Sequence, residues 1–320
     1  MNVEYIAFQK DMTVEEAILK IRQVGLNRET IYTCYVTEKR KLIGVVSLKE
    51  LLVSGDNRLI EEIMETNLLY VHTHDDQEEA ASMINKYGLI AIPVVDKEMR
   101  MVGIVTVDDA IDVMQEETEE DFSKISGITP NDTEYLKTPV FKLWASRIPW
   151  LMILMISATF TGMIISKFEN ALSALPILTA FIPMLMGTGG NAGSQASVTV
   201  IRGISLGQIE FRDFMKVLWK ECRVSLLCGV VLGIASIAKV MLVDNMLMKN
   251  PEVTIFVAVV VGITLLATIV SAKLIGCALP LLAKKIGLDP AVMASPFITT
   301  IVDAISLLIY FQIATVMLGL

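Results

Sequence analysis

Hydrophobic and polar positions follow two different patterns along this chain, and the change falls near residue 140. Before it, short apolar stretches are broken every few residues by charge. TVEEAILKIRQVG (13–25) reads as an amphipathic helix. TCYVTEKRKLIGVVSLKELL (33–52) reads as two strands around a polar turn, then a short helix. The pattern then returns. IPVVDKEMRMVGIVTVDDAI (92–111) lies over 33–52 without a gap, and DQEEAASMINKYG (76–88) resembles 13–25. Gly44 meets Gly103, Ser47 meets Thr106 and Glu50 meets Asp109. Two copies of one α/β unit are predicted.

Beyond residue 140 charge nearly vanishes. A membrane helix needs ~20 mostly apolar residues, and five candidates appear. They are Ile148–Ser166, the charge-free run 170–201, Val224–Ala238 with its extension through Val243, Val253–Ala272, and Pro290–Leu320. The second run is unusual. PMLMGTGGNAGSQASVTVIRG (183–203) places glycines and amides where a lipid-facing helix has no use for them.

Composition sharpens the division. The chain is 53% hydrophobic and its mean hydropathy is +0.59. Residues 1–140 carry 14 Lys and Arg against 27 Asp and Glu, while residues 141–320 carry 13 against 8. An acidic soluble part and a more basic apolar part imply more than one domain. With the soluble part placed inside, nine basic residues flank the inner ends of the spans and three the outer loops. That asymmetry predicts an N-in, C-out protein with an odd number of spans. The four cysteines show no paired spacing, so neither a disulfide framework nor a zinc site is indicated. The opening MNVEYIAFQK is not a signal peptide.

Candidate chemistry lies in both parts. A carboxylate inside a span costs at least ~2.5 kcal/mol and usually faces a cavity, an ion path or a partner. Asp303 is such a residue, and Ser295, Thr299 and Asp303 recur at i,i+4 with Ser306 nearby. The alternative for Asp303 is an interhelical hydrogen bond or a pair with Lys273. Asn191, Gln195 and Thr199 form a second i,i+4 stripe, beside a Gly189–Gly193 pair that lets helices approach closely. Gln195 also suits helix–helix glue. No His lies in any span, so an intramembrane metalloprotease is excluded, and hard, oxygen-loving cations fit better than zinc or copper. Between the two parts, Asp109, Asp112, Glu116, Glu117, Glu120 and Asp121 fall within a few helical turns. They form either a solvated acidic surface or a site whose mutual repulsion a divalent cation relieves. Asp75, Asp76, Glu78 and Glu79 are candidates to face the same ions.

The G-[IV]-[IV]-[ST]-x-x-[DE] pattern in each repeat resembles a tandem pair of CBS domains. That resemblance implies a compact pair with a nucleotide-capable cleft. Tyr32, Lys49, Glu50 and Asp109 are the candidate contacts and ATP the candidate occupant, although Glu50 and Asp109 also suit simple helix caps. Taken with TVDDAIDVMQEETEED, RIPWL, the P-x-x-x-G-x-G-G-N-x-G-x-Q run of span two and DPAVMASPFITTIVDAISLLIYF, nearly the whole chain resembles the MgtE family of magnesium channels and transporters. The implied fold is a cytosolic α/β CBS pair followed by a five-helix transmembrane α-bundle. The expected boundaries are 1–57, 58–115, an acidic connecting "plug" helix at 116–142, and the pore domain at 143–320.

The resemblance implies a plasma-membrane homodimer and not an enzyme, with no nucleic-acid partner and with membrane lipid around it. Mg2+ is both cargo and regulator. Asp303, Asn191, Thr299, Ser295 and Gln195 are the pore candidates. Asp76, Glu78, Asp109, Asp112, Glu117 and Glu120 are the regulatory candidates. Many members begin with an acidic helical N domain, whereas this sequence starts at the CBS pair, so weaker or fewer regulatory ion sites are expected. The competing classes are a transporter of Co2+ or Mn2+ and a membrane-anchored CBS nucleotide sensor.

Overall fold

The computed structural model describes residues 1–131, 133–293 and 295–319, apart from the side chain of Ser295. It contains two compact units, Met1–Glu119 and Glu120–Leu320.

The first unit is built twice. In copy one, β1 (Ala7–Phe8) precedes α1 (Val14–Val24), the hairpin β2 (Thr33–Glu38) and β3 (Lys41–Ser47), and α2 (Leu48–Val53). A short α3 (Ile60–Ile63) leads to copy two: β4 (Val71–His72), α4 (Gln77–Tyr87), β5 (Ala91–Val95), β6 (Met101–Thr106) and α5 (Val107–Ile125). Each sheet has three strands, the first parallel to the second and the second antiparallel to the third. The predicted helix–hairpin–helix repeat is present. Its leading parallel strands are only two residues long, too short to leave a pattern in the sequence.

Local chemistry explains these boundaries. Thr13 and Glu16 form a reciprocal capping box at the start of α1, which buries Val14, Ala17 and Ile21 on one face. The same device opens α2, where Ser47 and Glu50 cap each other. Gly88 ends α4 with φ +64°, a left-handed conformation that glycine adopts at little cost. The polar turn of the first hairpin holds Lys39 and Arg40, both at positive φ. In the second, the Asp96 carboxylate accepts the amides of Glu98 and Arg100 at 2.9 and 2.8 Å. Those hydrogen bonds, led by the one from Arg100, hold the Asp96 carboxyl below its usual range.

The second unit is helical: α6 (Val140–Lys167), α7 (Glu169–Ala174), α8 (Leu178–Ser205), α9 (Phe214–Lys239), α10 (Ile255–Lys285) and α11 (Ser295–Leu318). Four of its helical segments are long and apolar enough to cross a membrane among the described residues: Val140–Lys167, Phe211–Leu247, Ile255–Lys285 and Pro290–Leu318. The second run of the sequence, now α8, has the length at 28 residues but is not among the four. Its glycines, amides and hydroxyls dilute its hydropathy, so apolarity alone does not carry the expected count of five spans. The short third run is also longer than its pattern suggested. The helix starts ahead of Val224, and after Lys239 it continues as a π-helical turn through Leu247.

The core of this unit lies where α8, α10 and α11 meet, around Leu178, Phe181, Leu185, Val261, Leu265, Ile298, Val302 and Phe311. The Tyr310 hydroxyl crosses this core and donates to the Leu178 carbonyl at 2.9 Å. α6 buries none of its residues within the chain. Glycines set the spacing between helices. A Cβ added at Gly189 would lie 2.6 Å from Thr268 and 2.9 Å from the Ser306 hydroxyl, and one at Gly193 would lie 2.9 Å from Ile298. A Cβ at Gly276 would collide with the Gly193 backbone. Gly233 and Gly262 let α9 and α10 approach in the same way, with 3.1 Å to the facing carbonyl oxygen.

Candidate functional site

In the helical unit the two sequence stripes occupy different surroundings. Asp303 is half-buried on α11. It lies beside α8 at Gly190, where a Cβ would sit 3.0 Å from Thr299 and 3.7 Å from Asp303 Oδ1. Glycine at this position leaves room for Thr299, with the Asp303 carboxylate at ordinary contact distance beyond it. Asp303 forms no ion pair among the described residues, so the predicted alternative of an Asp303–Lys273 bridge is not formed. The Thr299 hydroxyl donates to the Pro296 carbonyl at 2.8 Å. Its proton is engaged, which leaves its oxygen free to accept, the polarity that suits a cation's water shell. The Ser306 hydroxyl, at the end of the predicted stripe, is 1% exposed. It donates to Val302 against Gly189 and so belongs to helix packing. Ser295 was also expected on this stripe, and its side chain lies outside the described residues.

Asn191, Gln195 and Thr199 are exposed along the neighbouring face of α8. They line a cavity of about 810 Å³ together with Ser194, Glu221 of α9 and Lys273 of α10. Asp303 is not among its lining residues. Thr199 donates its hydroxyl to the Gln195 carbonyl at 2.7 Å. Sequence reasoning missed Glu221. Its one signal was position, three residues ahead of the charge-free run Val224–Ala238.

In the first unit Asp75, Asp76, Asp109, Asp112 and Glu116 line one cavity of about 410 Å³, between α4 and α5. Asp76 also caps α4 by accepting the Glu78 amide at 3.0 Å, and Asp75 accepts the His72 amide at 2.6 Å. Glu117 accepts from the Gln77 amide at 2.9 Å. Glu78 is exposed and does not line the cavity. Of the nucleotide candidates, Asp109 lines this cavity, whereas Tyr32, Lys49 and Glu50 are exposed in copy one. The Glu50 carboxylate accepts both the amide and the hydroxyl of Ser47 at 2.8 Å, the capping geometry.

Glu120 stands elsewhere. Lys124 reaches Glu120 at 2.5 Å and Asp289, in the α10–α11 connection, at 2.7 Å. Burial works against the Lys124 charge, but the hydrogen bonds it donates to Asp289 and Glu120 outweigh it and hold its pKa above the ordinary lysine value. Asp121 accepts the Ser205 hydroxyl at 3.1 Å. The end of the acidic connector is thus fastened to the ends of α8 and α10.

A repeated α/β pair joined to a set of long apolar helices, with the carboxylate of Asp303 inside the last of them, defines a multi-pass membrane protein of the transporter class. The magnesium transporter MgtE of Thermus thermophilus is 38% identical to this chain over 319 residues, which is 99% of the chain and 69% of that protein. This chain belongs to the MgtE family, whose members are transporters and not enzymes.

The family model for MgtE, described as a divalent cation transporter, matches residues 182–313. The CBS domain model matches residues 1–54 and 60–116. The magnesium transporter MgtE of Enterococcus faecalis is 35% identical over 98% of this chain and 67% of its own length. The one from Bacillus subtilis is 33% identical over 98% and 68%. A crystal structure of the cytosolic domain of the Mg2+ channel MgtE in complex with ATP is 46% identical over 34% of this chain and 45% of its own, with a TM-score of 0.34.

Proposed function

We propose that this protein conducts hydrated Mg2+ across the plasma membrane as a homodimer, through a path lined by α8 and α11 of each protomer, and that intracellular Mg2+ closes it. The observation that carries this reading is Asp303. It is a carboxylate with no ion pair among the described residues, facing α8 at Gly190, in a helical unit whose family carries divalent cations. Mg2+ gives up its water reluctantly, so the path works through outer-sphere contacts. Asp303 attracts the ion, while the oxygens of Thr299, Ser295, Asn191 and Gln195 accept hydrogen bonds from its water shell. No ATP is required. A divalent cation entering an inside-negative cell gains about 4.6 kcal/mol per 100 mV.

Five spans with the N-terminus inside and the C-terminus outside agree with the basic-residue asymmetry and place the CBS pair where it senses cytosolic Mg2+. Asp76, Asp109 and Asp112, gathered on one cavity, are the sensing set, with Glu78, Glu117 and Glu120 beside them on the same elements. Bound Mg2+ relieves the repulsion along α5 and stabilises its closed position. ATP is a further ligand proposed for the CBS pair, with Asp109 its best-placed contact.

Ion-specific flux into liposomes tests this reading. The wild-type protein is expected to pass Mg2+ in preference to Co2+ and Mn2+, and Asp303→Ala to abolish that flux. Full flux in Asp303→Ala would leave the membrane-anchored nucleotide sensor as the better reading, and preferential Co2+ or Mn2+ flux would reassign the cargo.

A further inference from the structure

α9 has two faces of opposite character. Its buried residues are Ser225, Gly229, Gly233 and Ser236, and the two glycines lie against Leu266 and Gly262 of α10. On the opposite side Lys216, Lys220, Arg223, Leu227, Val231 and Ile234 follow one another at steps of three or four and are exposed. Leu227 and Val231 are 71% and 66% exposed, so nothing in the chain covers this face among the described residues.

The stripe changes chemistry at one point. Its cations come first and its apolar side chains follow, and the change falls at Val224, where the charge-free run begins. The helix belongs to a segment long and apolar enough to cross a membrane. Leu227, Val231 and Ile234 therefore meet lipid chains, while Lys220 and Arg223 stand within about one turn of the hydrocarbon edge, where long basic side chains reach the head groups. Trp219 stands beside them, exposed, with the Arg223 guanidinium 5.8 Å from its ring centroid. An indole suits this depth and holds the guanidinium in place.

The cations are not equivalent. Lys216 reaches Asp213 at 2.9 Å, and Arg212, just ahead of the helix, reaches Glu210 at 3.0 Å. Lys220 and Arg223 form no ion pair among the described residues. Glu221, between them in sequence, lines the cavity with Lys273 and answers neither. The two charges call for an anion whose remainder is apolar. An acidic protein surface would satisfy the charges but leave Leu227 and Val231 uncovered at membrane depth. A zwitterionic head group brings its own ammonium, which competes with Lys220 and Arg223 for the phosphate.

We propose that this face of α9 binds an anionic phospholipid, its phosphate on Lys220 and Arg223 and its acyl chains along Leu227, Val231 and Ile234. The surface lies apart from the path assigned to α8 and α11, and its test does not depend on ion flux. That test is native mass spectrometry of the full chain, delipidated in detergent and then offered equal amounts of phosphatidylglycerol, phosphatidylcholine and phosphatidylethanolamine. Phosphatidylglycerol is expected to be retained over the other two by about fivefold for each of the two cations. Lys220→Gln and Arg223→Gln are each expected to remove about one such factor, and the double variant to erase the preference. Arg212→Gln and Lys216→Gln, whose charges are already answered, are expected to leave it nearly unchanged. Unchanged gel-filtration profiles check folding. Equal retention of the three lipids by the wild-type protein would overturn the proposal, which is the outcome if an acidic surface or a second copy of the chain covers this face. A loss in Lys216→Gln as large as in Lys220→Gln would reduce the site to diffuse positive charge and also overturn it. So would displacement of the lipid by soluble glycerophosphoglycerol at equal concentration, because the acyl chains would then contribute nothing.

Discussion

At the level of single residues, the glycines of α8 show how far sequence can be read. GTGGNAG announced close approach, but not which glycine approaches what. In the structure Gly189 and Gly193 face α10 and α11, Gly190 faces Thr299 and Asp303, and Gly187 has nothing within 4 Å of an added Cβ. Gly189→Ala is therefore expected to destabilise the helical unit by ~1–3 kcal/mol through overpacking. Gly187→Ala is expected to be neutral or slightly stabilising. Thermal unfolding of the detergent-solubilised protein compares the two, and equal effects would refute the packing assignment. Asp303 was legible because a lone carboxylate in an apolar run is conspicuous at any register. Glu221 was not, because it stands at the edge of a charged segment and only the fold turns it into a cavity.

At the level of elements, α5 carries the clearest consequence. The sequence marks it as a run of acids, which disfavours a helix through i,i+4 repulsion. It forms one nonetheless, and Lys124 pins its end by bridging Glu120 and Asp289. Lys124→Gln is expected to free this end and speed proteolysis between residues 120 and 131, while leaving the far side of the CBS pair protected. Unchanged cleavage would show that the bridge holds nothing. The pH dependence has a definite sign. Lys124 has a folded pKa raised above its unfolded value of ~10.4. Its contribution is complete below that value and is lost only as pH rises through the higher folded pKa. Protection of the connector should therefore be constant from mildly acidic to mildly alkaline pH. A loss near neutrality would implicate another group. The cap at Glu50 was read from the sequence, and Ser47 with Glu50 forms it; the matching Thr13–Glu16 box has the same spacing but was not read. Replacing Ser47 by Ala is expected to cost ~0.5–2 kcal/mol, seen as a lower unfolding midpoint of the full chain.

At the level of the whole molecule, the prediction concerns coupling between the soluble pair and the helical unit. If Mg2+ on the CBS acids closes the path, removing Mg2+ with a chelator should raise both flux and protease sensitivity of the connector. Asp112→Asn should shift both responses to higher Mg2+ by weakening a site without changing the path. Flux and protection that respond at different Mg2+ concentrations would separate the sensor from the gate.

The sequence by itself determined the two-part organisation, the internal repeat, the cap at Glu50, and the presence of a carboxylate in the last apolar run. These are local properties: periodicity, side-chain type and spacing suffice to read them. Only the tertiary structure decided that the two oxygen-bearing stripes face different surroundings. It also made Ser306 a packing residue, gathered Asp75, Asp76, Asp109, Asp112 and Glu116 on one cavity, and set Glu221 beside Lys273. Those outcomes depend on how far each helix is rotated about its axis. That rotation is fixed by glycine contacts between helices far apart in the chain, which no single segment records.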